Sequence, residues 1–527
     1  MANNKTYPIV YVRGFAMSRT EIDETTADPF CGFNVGSTVY RATPDRKQPP
    51  RKFFFQSPVV RLARDFGYND VYLDGEDLAD LADKPQGVKA ASIVIYRYYD
   101  SASTLFGDGK TPPMKDFGSG LSELIWRVRK LICANAENAL REEDFRCYLV
   151  AHSMGGLVCR TFLQNPHCDP RNVRPCVDKF FTYATPHNGI DMAGVNVPEW
   201  LTLDRISNFN RETMAGYLEL DGFDKNDKTK DRVDLMPDAA FPIDRVFCLV
   251  GTNRSDYQVA EGLSRTFVGH GSDGLVHIEN AVVCGAKPGE PPRQAAKAFV
   301  YRSHSGFYGI VNSEEGYQNL TRFLFGDVRI EIWLELDSLT LPPDVQAEAD
   351  KGRQVDALYQ FELLASPRGK LWYLTRRIAE EDSVACVRYA DWTARPAEPQ
   401  PLFLSTVFLS NAARVNKDRA SIAYSATLGA RVPDYEVERK LWVNEHFEGG
   451  YLYRDSLVIE MTPPLAAGED WTVTYTWQAT KKGGKIVVNP AQLLDPNGVQ
   501  LLVPFASQTG APGVSGRLRF DIRGWNM

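Results

Sequence analysis

At 527 residues the chain is long enough for two or three domains with substantial cores. Its composition is ordinary for a globular protein, 43% hydrophobic and 24% charged; a formal net charge of -7 and a pI near 5.7 leave no basic footprint for a nucleic-acid partner. No apolar run approaches membrane-spanning length and the residues from Met1 to Pro8 carry no long apolar h-region, so neither a transmembrane segment nor a cleaved signal peptide is expected.

The first predicted element is the strand Ile9-Val10-Tyr11-Val12, followed at once by Arg13-Gly14-Phe15-Ala16. Residues 17 to 57 are rich in polar residues, glycine and proline and read as a long excursion near the mouth of a site. A helix is predicted from Pro58 to Phe66, a short strand at Val71-Tyr72-Leu73 and a better one at Ile93-Val94-Ile95-Tyr96. After Pro112-Pro113, apolar residues at Leu121, Leu124, Ile125, Val128, Leu131 and Ile132 predict a long amphipathic helix reaching Leu140. Strand, helix, strand, helix in this order implies parallel pairing through crossovers.

The stretch from Cys147 to Val158 then reads as a buried strand, a sharp turn at Ser153, and a helix whose apolar residues fall at Leu157, Val158, Phe162 and Leu163. Small residues on both sides of Ser153 let the backbone turn tightly and lift the hydroxyl at a helix N-terminus, the context of a nucleophile elbow. The helix end and the Met154 amide would face negative charge developing on a substrate oxygen. Ala151 stands where such elbows carry glycine, and a helix N-cap is the plainer role for a serine in this place.

Another strand, Lys179 to Tyr183, leads into Ala184-Thr185-Pro186-His187-Asn188-Gly189. The elbow followed by this Ala-Thr-Pro-His-x-Gly resembles the α/β-hydrolase lipases and the related GPI inositol-deacylase-like hydrolases, over about residues 8 to 325. The resemblance implies an α/β-hydrolase fold, a mostly parallel sheet with helices on both faces. It implies that Phe15 follows the first strand as second oxyanion donor beside Met154, although these lipases usually carry His-Gly where this chain has Arg13-Gly14. It also implies a cap or lid at about residues 190 to 243. His187 precedes the place where this order puts the base, which comes last in the chain.

A buried strand, Arg245 to Gly251, is followed by Gly271-Ser272-Asp273-Gly274-Leu275-Val276, which resembles the acid-bearing stretch of bacterial lipases. Asp273 is the candidate acid, with Asp256 as fallback; an Asp-Gly pair is also a plain turn signal. The strand Ala298 to Tyr301 delivers His304, the candidate general base, and the order Ser153, Asp273, His304 matches the hydrolase order. A helix from Ser313 to Phe325, ended by Gly326, closes a first domain of residues 1–326.

From Asp327 the period changes. Val328 to Leu336, Trp471 to Trp477 and Leu518 to Arg523 alternate, with further candidates near 357–364, 371–378, 402–409, 420–428 and 456–461. Many short strands without helices predict an all-β sandwich domain over 327–527, or two sub-sandwiches. Its aromatic residues Trp372, Tyr373, Trp392, Trp442, Tyr451 and Tyr453 read as core filling, or as a surface for lipid, glycan or protein.

The sequence reading is therefore a serine carboxyl-ester hydrolase of lipase or esterase type, acting on an ester or lipid. Phospholipid deacylation or acyl transfer would use the same Ser153, Asp273 and His304, and a catalytically silent ligand-binding protein on this fold is the rival from another class. No cofactor and no metal ion is expected: the nine cysteines are scattered without a C-x-x-C pair, although Cys168 and Cys176 could pair. Reduced thiols suit a cytoplasmic protein, and export by a route without a cleaved signal peptide stays open.

Overall fold

The computed structural model describes residues 6–14, 39–41, 51–53, 58–70, 87–98, 100, 112–192, 195–196, 207–254, 271–305, 309–396, 400–438, 445–464, 468–495 and 497–526. The expectations for Phe15, Val71–Leu73, Asp256, Trp442, most of the excursion from 17 to 57 and part of the 190–243 insertion fall outside them. The chain divides into two compact units. One runs to Leu320; the other runs from Thr321 onward, with Ala298–Val300 grouped with it.

The first unit is α/β. The principal elements of the α/β region in chain order are β1 (Ile9–Val12), α1 (Pro58–Phe66), β2 (Asn69–Asp70), β3 (Ser92–Ile95), α2 (Met114–Ala134), β4 (Cys147–His152), α3 (Met154–Gln164), β5 (Val177–Tyr183), α4 (Arg211–Leu218), β6 (Val246–Gly251), β7 (Ala296–Val300, its last three residues grouped with the second unit) and α5 (Glu314–Phe325, which passes into the second unit at Thr321). One sheet takes the strands in the order β7-β6-β5-β4-β1-β3-β2. The pairings from β2 through to β6 are parallel. Strands β1, β3, β4 and β6 are buried at every residue, which is why each reads as an unbroken apolar run instead of an alternating one. Chain direction through the sheet reverses beside β1, whose neighbours are β3 and β4. In open parallel sheets the crevice beyond the carboxyl ends of strands at such a point is where ligands sit.

Helix α2 buries Leu121, Ile125, Val128 and Ile132, the spacing the sequence showed. It starts earlier than predicted, directly after Pro113, and stops at Ala134 short of Leu140. The reason is Asn135: its backbone is extended, and its side chain accepts from the Glu137 amide to start a separate 3₁₀ turn ending at Ala139, which has φ 46°. Helix α3 is buried along all eleven residues, as a helix apolar on most sides must be. The described cysteines, Cys168 and Cys176 among them, are free thiols. Among the described residues no helix is long and apolar enough to cross a membrane.

Lys179, on β5, is fully buried, its ammonium nitrogen 5.4 Å from the Tyr148 ring centroid. Burial lowers its pKa to about 7. Between that value and the ordinary lysine value of 10.5 the unfolded chain holds a proton that the folded chain releases, so this group makes stability rise with pH across that window. Against Lys179→Met, the wild type should gain about 2 kcal/mol between pH 7.5 and 9, at no more than about 1.4 kcal/mol per pH unit. Parallel melting curves across that range test this; a constant gap between the two proteins would refute it.

The second unit is β-rich. A four-stranded antiparallel sheet takes Leu402–Leu409, Val328–Thr340, Gly513–Gly524 and Val499–Ala506 in that order. A second antiparallel sheet runs Thr375–Arg377, Val355–Pro367, Ile422–Val437, Glu445–Thr462, Trp471–Trp477 and Gly483–Val488, with Ala385–Arg388 also pairing with Val355–Pro367. Buried side chains of both sheets, including Ile330, Leu363, Leu428, Leu457, Val473 and Leu518, form one hydrophobic cluster.

Two expectations for this region are corrected. The strands are long, up to eighteen residues in Glu445–Thr462, and helices occur, notably Pro343–Asp350. Gly429, Pro433 and Gly449 look like strand ends but lie inside paired strands, where register shifts at Ala430/Arg431 and Ala357/Gln360 absorb the irregularity. Tyr453 lies in the cluster and Trp372 and Trp392 pack against it, whereas Tyr451 is 44% exposed.

Candidate active site

The site is built from the carboxyl end of β4 outward. Ser153 adopts φ 53° and ψ -130°, a conformation that costs a side-chain-bearing residue about 1–3 kcal/mol and persists only where its surroundings fix it. Here the Ser153 amide donates to the Tyr183 carbonyl at 3.0 Å, and its carbonyl accepts from Gly156 at 3.0 Å. A β-carbon at Gly155 would stand 2.1 Å from the Val12 carbonyl oxygen, so the first turn of α3 lies directly on the end of β1. One at Gly14 would stand 2.6 Å from the Ser153 β-carbon.

The departure at Ala151 has a simple account. Ala151 is still within β4, in register with Val12 on one side and Thr182 on the other, and the left-handed turn begins two residues later. Alanine meets the requirement there, which is small size and not positive φ.

Ser153, Asp273 and His304, from three separate stretches of the chain, come together. His304 Nε2 lies 2.8 Å from Ser153 Oγ, and His304 Nδ1 lies 2.9 Å from Asp273 Oδ2. All three are buried. The carboxylate can only accept, so the bonding pattern assigns the proton to Nδ1 and leaves Nε2 to accept from the serine hydroxyl. Asp273 Oδ1 is held by the amides of Leu275 at 3.0 Å and Val276 at 2.8 Å. One carboxylate oxygen thus makes the turn that an Asp-Gly pair suggests, and the other faces the imidazole.

Met154 opens α3, so its amide lies at the positive end of that helix. Phe15 is outside the described residues, and so is the fallback acid Asp256. His187 is fully buried, its Nε2 3.3 Å from Thr182 Oγ1, with burial and the Arg160 charge lowering its pKa well below the ordinary histidine range. Arg160, also fully buried, donates to the carbonyls of His187, Val233 and Leu235 and to Gln164 Oε1, at 2.7–2.9 Å. Within the 190–243 insertion the described part includes α4, which buries Met214, Ala215, Tyr217 and Leu218.

Nothing in the sequence around His152 assigns it a role. Its Nε2 lies 2.8 Å from the His304 carbonyl oxygen, and the two rings are 5.0 Å apart between centroids. Adjacency to Ser153 was the one available signal, and it could not reveal a main-chain partner so distant in sequence. Among the described residues no group of three His, Cys, Asp or Glu side chains is placed to hold a metal ion.

A serine hydroxyl on an imidazole nitrogen, with a carboxylate on the other nitrogen, can lose its proton as the oxygen attacks an electrophilic carbon. No protein-family model and no curated protein matches the chain. Among solved structures it is similar to the phospholipase PlaB from Legionella pneumophila in complex with thio-NAD, with a TM-score of 0.27 and 12% identity over 84% of this chain and 89% of that one.

Proposed function

We propose that this chain is a serine carboxyl-ester hydrolase of lipase or esterase type. The observation that carries the proposal is the continuous buried contact from Asp273 Oδ2 through the His304 ring to Ser153 Oγ, at 2.9 and 2.8 Å, on a serine held at φ 53° before a helix. In this reading residues 1–326 form an α/β-hydrolase domain, residues 327–527 an accessory β-sandwich, and the insertion at about 190–243 a cap over the site.

Ser153 Oγ attacks the ester carbonyl as its proton passes to His304 Nε2, and Asp273 stabilises the imidazolium. The amides of Met154 and Phe15 receive the oxyanion. Collapse of the tetrahedral intermediate breaks the bond to the alkoxide, which leaves with the proton from His304. Water, deprotonated by His304, then attacks the acyl-enzyme, and Ser153 regains its proton as the acid leaves.

The test is hydrolysis of p-nitrophenyl esters from acetyl to palmitoyl, with fluorophosphonate labelling read by mass spectrometry of peptides. Adduct on Ser153 and ester turnover are the expected results, and the preferred chain length separates an esterase from a lipase. A folded protein that neither labels at Ser153 nor turns over any ester of the series would refute the proposal and favour a ligand-binding protein.

A further inference from the structure

The catalytic machinery proposed above spreads over three separate segments of the chain, and His304 stands on the last of them. It lies beyond the end of β7, and its side chain must meet Asp273 and Ser153 at once. Fixing the imidazole therefore requires fixing the main chain that carries it. The His304 amide donates to the Asp273 carbonyl at 3.0 Å, and its carbonyl is met by His152 Nε2 at 2.8 Å. We propose that His152 is a positioning residue: its Nε2–H holds the main chain of His304 so that the base stays on the Ser153 hydroxyl. This inference rests on the serine-hydrolase reading.

The geometry assigns the proton. A carbonyl oxygen only accepts, so His152 carries hydrogen on Nε2 and leaves Nδ1 bare. Burial, then the neighbouring His304, lower the pKa of His152 well below the ordinary histidine value of 6.5. It therefore stays neutral at neutral pH and adds no positive charge beside the imidazolium that forms on His304. The ring has little room to move: it is 7% exposed, and a β-carbon at Gly14 would stand 3.2 Å from its Nδ1. Because His152 ends β4 and Ser153 is the next residue, one rigid strand end fixes both the nucleophile and the carbonyl of its base.

Two variants separate the donor from the bulk. His152→Phe keeps a ring and loses the hydrogen bond; His152→Gln keeps an N–H that reaches the same carbonyl. Since displacement of a catalytic group by about 1 Å can cost about a hundredfold, His152→Phe should lose roughly ten- to a hundredfold in kcat with KM nearly unchanged. His152→Gln should recover most of that loss. Selective ¹⁵N-histidine labelling of the wild type should also show His152 as the neutral Nε2–H tautomer at pH 7, a readout independent of how the variants fold.

Wild-type kcat in His152→Phe, a His152→Gln no better than His152→Phe at equal thermal stability, or an Nδ1–H tautomer would each overturn the proposal. If those results came with a wild type that labels at Ser153, the hydrolase reading would survive without it. A wild type inert to fluorophosphonate and esters would remove both.

Discussion

Ser153→Ala should lose roughly a millionfold in kcat on any ester the wild type hydrolyses, because removal of the nucleophile disables its base and acid along with it. Only Oγ is lost, and the β-carbon already fits beside Gly14, so the variant should fold and melt close to the wild type. Ser153→Gly supplies a sharper comparison. It is equally inactive, but glycine adopts φ 53° without strain and should melt above Ser153→Ala, by about 1 kcal/mol after its greater unfolded-state entropy is subtracted. Asp273→Asn should cost about ten-thousandfold. The Leu275 and Val276 amides would hold the asparagine oxygen and turn its NH₂ towards His304, favouring the tautomer that cannot accept from Ser153. Steady-state kinetics with melting curves on the three variants decide the matter; a Ser153→Ala protein retaining a tenth of wild-type activity would end the nucleophile assignment.

What the sequence made legible followed from local periodicity and chain order. The strand Ile9–Val12, the helix Pro58–Phe66 and the strand Trp471–Trp477 have the bounds their apolar patterns suggested. Bringing Ser153, Asp273 and His304 to one point needed the order of motifs along the chain, since nothing local to any one of them names the other two. Features governed by side-chain-to-backbone bonding were hidden. Asn135 ends α2 by accepting from the Glu137 amide two residues on, and apolar spacing carries no sign of that choice. In the β-rich unit, Gly429 and Gly449 are ordinary strand-ending signals, and only pairing with neighbouring strands shows that the strands continue through them. The anchoring contacts of His152 and Arg160 are hidden for the same reason: His152 meets a main-chain carbonyl, and three of the four acceptors of Arg160 are main-chain carbonyls, which every residue possesses.

Arg160 allows that last point to be tested on stability. Burial lowers its pKa to about 10, so at neutral pH it is a charge buried inside the first unit, stabilised by four acceptors and by the nearby charge of Asp234. Arg160→Met removes the charge but leaves the carbonyls of His187, Val233 and Leu235 without its donors. Gln164 still reaches Leu235 at 3.2 Å, and the other two have no such substitute from it. Leaving a buried acceptor unpaired costs about 1–3 kcal/mol each, and two are left here, so Arg160→Met should melt well below the wild type. Arg160→Lys should lie between them, since one ammonium cannot span acceptors arranged for a planar fork. The pH dependence distinguishes this anchor from Lys179. Arg160 is protonated in both folded and unfolded chains below its folded pKa, so the deficit of Arg160→Met should stay flat from pH 6 to 8, where the Lys179 contribution begins to climb. A deficit under about 1 kcal/mol, the worth of one ordinary hydrogen bond, would mean that the segment from Val233 to Leu235 is held to α3 by packing and not by the guanidinium.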